Sequence, residues 1–166
     1  MKMIILGSIL LYSSLTAADL KVDFLDKKWD GVNIPRDEVC SNYNIEAGST
    51  PSLRISNIPS NGSKIIFTYN DKTFKQMDNG GHGIISYDIP KNSTTIEIPS
   101  LIGESFELKD GFKIVQAHTG IRFNKTAGAY LAPCSGGKNN TYSVNINIVD
   151  DTNKSIAVTE LILGKF

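Results

Sequence analysis

The residues with the clearest chemical potential lie in YNDKTFKQMDNGGHGIISYDIP, residues 69–90. Asp71 stands at one end of a Gly/Asn-rich loop, and His82 stands eleven residues on at the other end. A carboxylate beside an imidazole can orient the ring and hold its tautomer. Such a pair is half of a catalytic site or half of an anion site. The plainer alternatives are a turn aspartate bonded to its own backbone and a histidine with a structural or surface role. One other histidine, His118, occurs in the chain.

A nucleophile to complete a catalytic set is hard to find. No G-x-S-x-G elbow occurs. Cys134, followed by Ser135, Gly136 and Gly137, could form a Cys–His pair with His82, but oxidation to a disulfide would remove it. His82, His118 and Asp71 would offer a metal two imidazoles and a carboxylate. Nothing in their spacing favours that arrangement, so neither a metal nor a cofactor is expected.

The elements that must position these groups read as strands. YSVNINIVD puts Tyr142, Val144, Ile146 and Ile148 on one side and Ser143, Asn145 and Asn147 on the other, the alternation of a half-buried strand. TTIEIPSL repeats it through Ile96 and Ile98. SLRISNIPSNGSKIIFTY offers strands over about 52–57 and 64–69, and Asn61-Gly62 between them favours a tight hairpin turn. Asp110-Gly111 offers a similar turn between SFEL and FKIVQ. The tail SIAVTELILGKF fits one more strand or a short helix. No window after the leader keeps apolar residues at helical spacing with a cap. The expectation is a mainly β domain, a sandwich or barrel.

The N-terminus MKMIILGSILLYSSLTAADL has Lys2, an apolar run to about Leu15, then small residues. That is the three-part pattern of a secretory signal peptide, with cleavage expected after Ala18. The alternative is an uncleaved anchor, although the run is short against the roughly 20 residues of a spanning helix. Residues 19–166 then form a single domain, periplasmic or secreted. Loss of Lys2 leaves that domain a formal charge of −1, from 17 Lys and Arg against 17 Asp and Glu in the whole chain. A near-neutral balance gives no footprint for nucleic acid and no polybasic patch for anionic membranes. Two cysteines, Cys40 and Cys134, suggest one disulfide in an exported protein; two free thiols are the alternative.

The order of these motifs resembles the phosphatidylethanolamine-binding protein family, in its small bacterial branch. DGVNIPRDEVCSNYNI (30–45) is similar to the family's entry segment. TPSLRISNIPSNGSKIIFTYND (50–71) is similar to its Pro-x-Leu, strand, turn and strand ending in Asp. Asp71 and His82 match the first Asp of the family's acid box and the histidine about eleven residues later. Arg122 and Tyr130 fall where the family has an Arg and a Tyr eight apart. APCSGG (132–137) and NTYSVNINIVDD (140–151) resemble its Cys-containing loop and following strand. The departures are specific. DKTF replaces the rest of the acid box, Gly83 replaces a Trp, and Ile55 stands where Trp is usual. Asn140 and Thr141 replace a His and an Arg, and the tail is too short for the family's long C-terminal helix.

The resemblance implies two packed antiparallel sheets, few short helices and a small pocket at one end that binds phosphate or phosphate-bearing groups. It carries Asp71, His82 and Tyr142 over as pocket residues and Cys134 as a position whose backbone lines the pocket. A Cys40–Cys134 bridge would tie the pocket wall to the entry segment. A protonated imidazole and a phenol can donate to an anion, while loss of the second histidine removes a donor that His118 could replace. The expected function is therefore non-enzymatic binding of a small anionic ligand. The alternative is an inhibitor or modulator of other proteins through surface contacts. A hydrolase using His82 as base ranks third.

Overall fold

The computed structural model describes residues 19–166; the leader expected over 1–18 lies outside the described residues. In chain order the elements are β1 (Lys21–Phe24), β2 (Leu53–Ser56), β3 (Lys64–Asp71), β4 (Ile84–Asp88), β5 (Thr95–Ile98), β6 (Phe112–Gln116), α1 (Ile121–Asn124), β7 (Thr141–Val149) and β8 (Ser155–Lys165). They form a three-stranded sheet, β1-β2-β5, and a five-stranded sheet, β6-β4-β3-β7-β8. Every strand pairing is antiparallel. No helix among the described residues is long and apolar enough to cross a membrane.

Period-two alternation decides which face turns inward. Tyr142, Val144, Ile146 and Ile148 of β7 are buried, as are Ile65, Phe67 and Tyr69 of β3. From the smaller sheet, Leu53, Ile55, Ile96 and Ile98 join the same cluster. The two inner faces therefore share one core, as in a sandwich. Each such aliphatic side chain contributes about 1.5–3 kcal/mol on burial. The tail resolves as a strand: β8 pairs with β7 from Thr141↔Lys165 to Val149↔Ser155. Asp150 closes the hairpin, its carboxylate accepting the amides of Thr152 at 2.9 Å and Lys154 at 3.0 Å.

Two turn expectations resolve differently. Asn61-Gly62 does not close a hairpin, because β2 and β3 lie in different sheets. The Gly62 amide bonds Pro59 in a local turn, and the chain then crosses between layers. Asp110-Gly111 does turn the chain, with Phe112 N bonding Lys109 O at 3.2 Å, but SFEL before it is not a strand. The chain entering it is held by residues 129 and 130, with Glu104 N bonding Tyr130 O at 2.7 Å and Ala129 N bonding Ser105 O at 2.8 Å. That leaves β6 to pair with β4.

Cys40 and Cys134 form a disulfide across 94 residues of sequence, with Cα atoms 5.3 Å apart. Cys40 is fully buried, and its amide also bonds Pro133 O at 3.0 Å. Closing so long a loop restricts the unfolded chain by roughly 4–5 kcal/mol, less any native strain. The Cys40→Ala/Cys134→Ala double variant is expected to lose stability by up to that amount. Urea unfolding of both forms measures it; equal midpoints would show that the bridge contributes nothing to the folded domain.

Candidate functional site

The strand ends of the larger sheet assemble the site. In the β3–β7 ladder Asp71 faces Tyr142 directly. Beyond the β3–β4 pairing, Tyr69 exchanges backbone bonds with residues 82 and 83: His82 N to Tyr69 O at 3.2 Å, and Tyr69 N to Gly83 O at 3.0 Å. Asp71, His82 and Tyr142 thus reach the same end of one sheet. They line a cavity of about 510 Å³ together with Cys134, Ser135 and Asn140. Cys40 does not line it; its link is the disulfide to Cys134. Because the disulfide consumes Cys134, a Cys–His nucleophilic pair with His82 is ruled out.

His82 is held on both sides by Leu131. The Leu131 amide bonds His82 O at 3.0 Å, and His82 Nδ1 lies 2.7 Å from Leu131 O. A carbonyl only accepts, so Nδ1 carries the proton, and in the neutral ring Nε2 is left as an acceptor. The tautomer is therefore fixed by a backbone carbonyl and not by Asp71, as the sequence had led us to expect. The reason is that Asp71 is already occupied. Its Oδ1 accepts the amides of Thr73 at 2.9 Å and Phe74 at 3.0 Å, and its Oδ2 accepts Asn140 Nδ2 at 2.6 Å. Asp71 folds the 72–77 loop and anchors Asn140, and it acts on the imidazole through its field alone.

Gly83 explains a gap in the sequence pattern. It has φ +116°, and a Cβ there would sit 2.1 Å from Ala129 O. The 129–131 backbone presses against this position, so no side chain fits. The same contact brings Leu131 O to the imidazole.

Burial pushes His82 down to about 4, with the Leu131 carbonyl and the Asp71 charge acting the other way. The ring is neutral at pH 7. Tyr142 moves in the opposite sense: burial pushes its phenol up to about 12. Its oxygen accepts the Cys134 amide at 3.2 Å, and Ser135 stands beside the phenol, where its backbone and hydroxyl partly offset that rise. The floor of the cavity thus offers one O–H donor and one imidazole acceptor.

The positive charge lies elsewhere. Arg122, on α1, and Lys138, in the loop after the disulfide, line the cavity and are exposed. Neither has a carboxylate within ion-pair distance among the described residues. Lys138 was not singled out from the sequence, since CSGGKNNT reads as an ordinary polar loop; Arg122 was noted only for its spacing from Tyr130. His118 is buried beside the site but does not line the cavity. Neither ring nitrogen has a well-formed hydrogen bond among the described residues; burial lowers its basicity, with the Glu104 charge and the nearby Thr126 backbone acting the other way. No group of three His, Cys, Asp or Glu among the described residues is placed to hold a metal ion.

His82 makes stability depend on pH. The unfolded ring binds a proton near 6.5 and the folded ring near 4, so between those values the unfolded state holds more protons. Stability is expected to fall as pH drops from about 6.5 towards 4, by roughly 3 kcal/mol in total. His82→Asn, which keeps a donor towards Leu131, should flatten that part of the profile. Denaturant midpoints from pH 7 to 4 measure both; an unchanged slope in the variant would assign the effect to other groups.

Neither a protein-family model nor a curated protein matches this sequence.

Proposed function

We propose that this chain is an exported binding protein of the phosphatidylethanolamine-binding type, periplasmic or secreted, whose cavity holds a small anionic or phosphate-bearing ligand without turning it over. The observation that carries this reading is the pairing of a buried donor floor with two unpaired cations over the same cavity. Tyr142 offers its O–H, while Arg122 and Lys138 offer charge-assisted donors. Asp71 is satisfied by three donors, so its lone pairs are not aimed at an incoming anion. The neutral His82 contributes through its free nitrogen, which can accept the proton of a hydrogen phosphate. The disulfide supports an oxidising compartment.

A second reading, a modulator that docks on another protein, is favoured by one observation. Ile45 is 98% exposed in the segment beside the cavity residues Asn42 and Tyr43.

Inorganic phosphate at low-millimolar concentration is expected to shift the ring signals of His82. Because the neutral ring accepts a proton brought by the ligand, the more protonated phosphate is the form that fits, so affinity should rise as pH falls from 8 to 5, by no more than about tenfold per unit. Arg122→Ala and Lys138→Ala should each weaken binding roughly two- to fivefold, less at high salt. NMR titration with calorimetry decides. Unmoved His82 signals at every pH would remove the anion reading, and an Ile45→Asp loss of inhibition of a target protease would establish the second.

A further inference from the structure

The cavity is larger and less polar than a bare anion requires. Its volume of about 510 Å³ falls among pockets that enclose whole organic ligands, roughly 300–1,000 Å³. Its polar and apolar groups are also separated by depth. His82 and Tyr142 are 3% and 2% exposed, whereas the lining aromatics Phe74 and Phe123 are 37% and 43% exposed.

These two rings come from segments far apart in sequence, and each has a local reason to be there. Phe74 lies in the loop folded by Asp71, whose carboxylate takes the Phe74 amide at 3.0 Å. Phe123 sits on α1, where the Asn42 amide side chain bonds its carbonyl at 3.0 Å. The rings meet edge to face with centroids 5.5 Å apart and planes at 72°. Edge-to-face packing leaves ring surface open for a third aromatic partner at the spacing such contacts favour. Arg122 adjoins Phe123, so a cation with planar donors stands beside the aromatic wall. A second hollow of about 390 Å³ shares Met77, Arg122 and Phe123 with the first. The Arg122–Phe123 ridge is therefore open on both sides, and space continues past it.

We propose that Phe74 and Phe123 form an aromatic subsite, and that the ligand is an organic phosphomonoester with a flat aromatic arm, its phosphate on Tyr142, Arg122 and Lys138 and its arm on the Phe74–Phe123 pair. This inference rests on the anion reading above and specifies its ligand. Both ends act together: the phosphate alone leaves the aromatic wall wet, and the arm alone leaves the cations unpaired. Aromatic arms exceed saturated ones here because ring faces and edges add to area burial.

Phenyl phosphate, inorganic phosphate and phenol, titrated separately against the full mature chain by calorimetry, test this. Phenyl phosphate is expected to bind about tenfold or more tightly than inorganic phosphate, and phenol only weakly. In Phe74→Ala and Phe123→Ala that advantage should shrink to about threefold or less, with inorganic phosphate affinity retained. Phe74→Leu, which keeps apolar area without a ring, should lie between wild type and Phe74→Ala. If inorganic phosphate binds and phenyl phosphate binds no tighter, the aromatic subsite is overturned and the anion site stands. If neither phosphate binds, both readings fall. The comparison of ligands on the wild-type chain decides the matter even if a variant does not fold.

Discussion

The register between β3 and β7 is the constraint on which the site depends. Eight consecutive pairs, from Lys64↔Val149 to Asp71↔Tyr142, lock β3, the central strand of the larger sheet, to its neighbour β7. Side chains alternate with period two, so a slip of one residue would turn Ile65, Phe67 and Tyr69 away from the core. The same slip would move Asp71 off Tyr142. Core packing and site geometry are therefore one specification. Burial of the inner face, in total far larger than any polar contact at the cavity, holds the functional groups in place.

The walls come from segments that the sheet cannot hold by itself, and each is tied by a distinct interaction. The 72–82 loop is fixed at both ends: Asp71 takes two amides at its start, and Asn70 Oδ1 accepts the Gly80 amide at 2.8 Å near its close. The loop after Ala132 is fixed by the disulfide and by the Cys134 amide on Tyr142. The 129–131 stretch reaches His82 only because Gly83 has no side chain. With a single helical turn among the described residues, these crosslinks do the work that covering helices do in other folds. A cavity whose floor lies on a sheet and whose mouth lies on loops is a common division of labour.

Much of the fold was legible because alternation is a local signal. YSVNINIVD and KIIFTYND became β7 and β3, and Ile96 and Ile98 became the inner face of β5. What was not legible was pairing across distance. Asn61-Gly62 has hairpin chemistry, but the strands it joins are drawn into different sheets by their partners, β1 and β5 on one side and β4 and β7 on the other. SFEL has the composition of a strand, yet the chain entering it is turned towards residues 129 and 130, which bond Glu104 and Ser105. At the site, Asp71, His82, Cys134 and Tyr142 were visible through motif order and do meet at one cavity. The partner of each was not. The Leu131 carbonyl carries no sequence signature, since any residue supplies one, and Lys138 is indistinguishable in sequence from a solvated loop lysine.

Burial also places the charge where the sequence did not. From the sequence alone, the histidine looks like the cation of an anion site. Within the fold, the same walls that position His82 remove the water that would stabilise its charge, and they hold it near 4. Asp71 cannot offset this fully, because its oxygens are committed to two amides and to Asn140. Positive charge then survives only where solvent reaches, on Arg122 and Lys138 at the mouth. This division has a consequence for selectivity. Exposed cations attract any anion and discriminate weakly, whereas a dry floor with a single O–H donor and one lone pair is intolerant of a group that leaves either unpaired. Under the anion reading proposed above, attraction and selection would be separated by depth: the rim would gather anions, and the floor would admit those that bring both a proton and an acceptor oxygen.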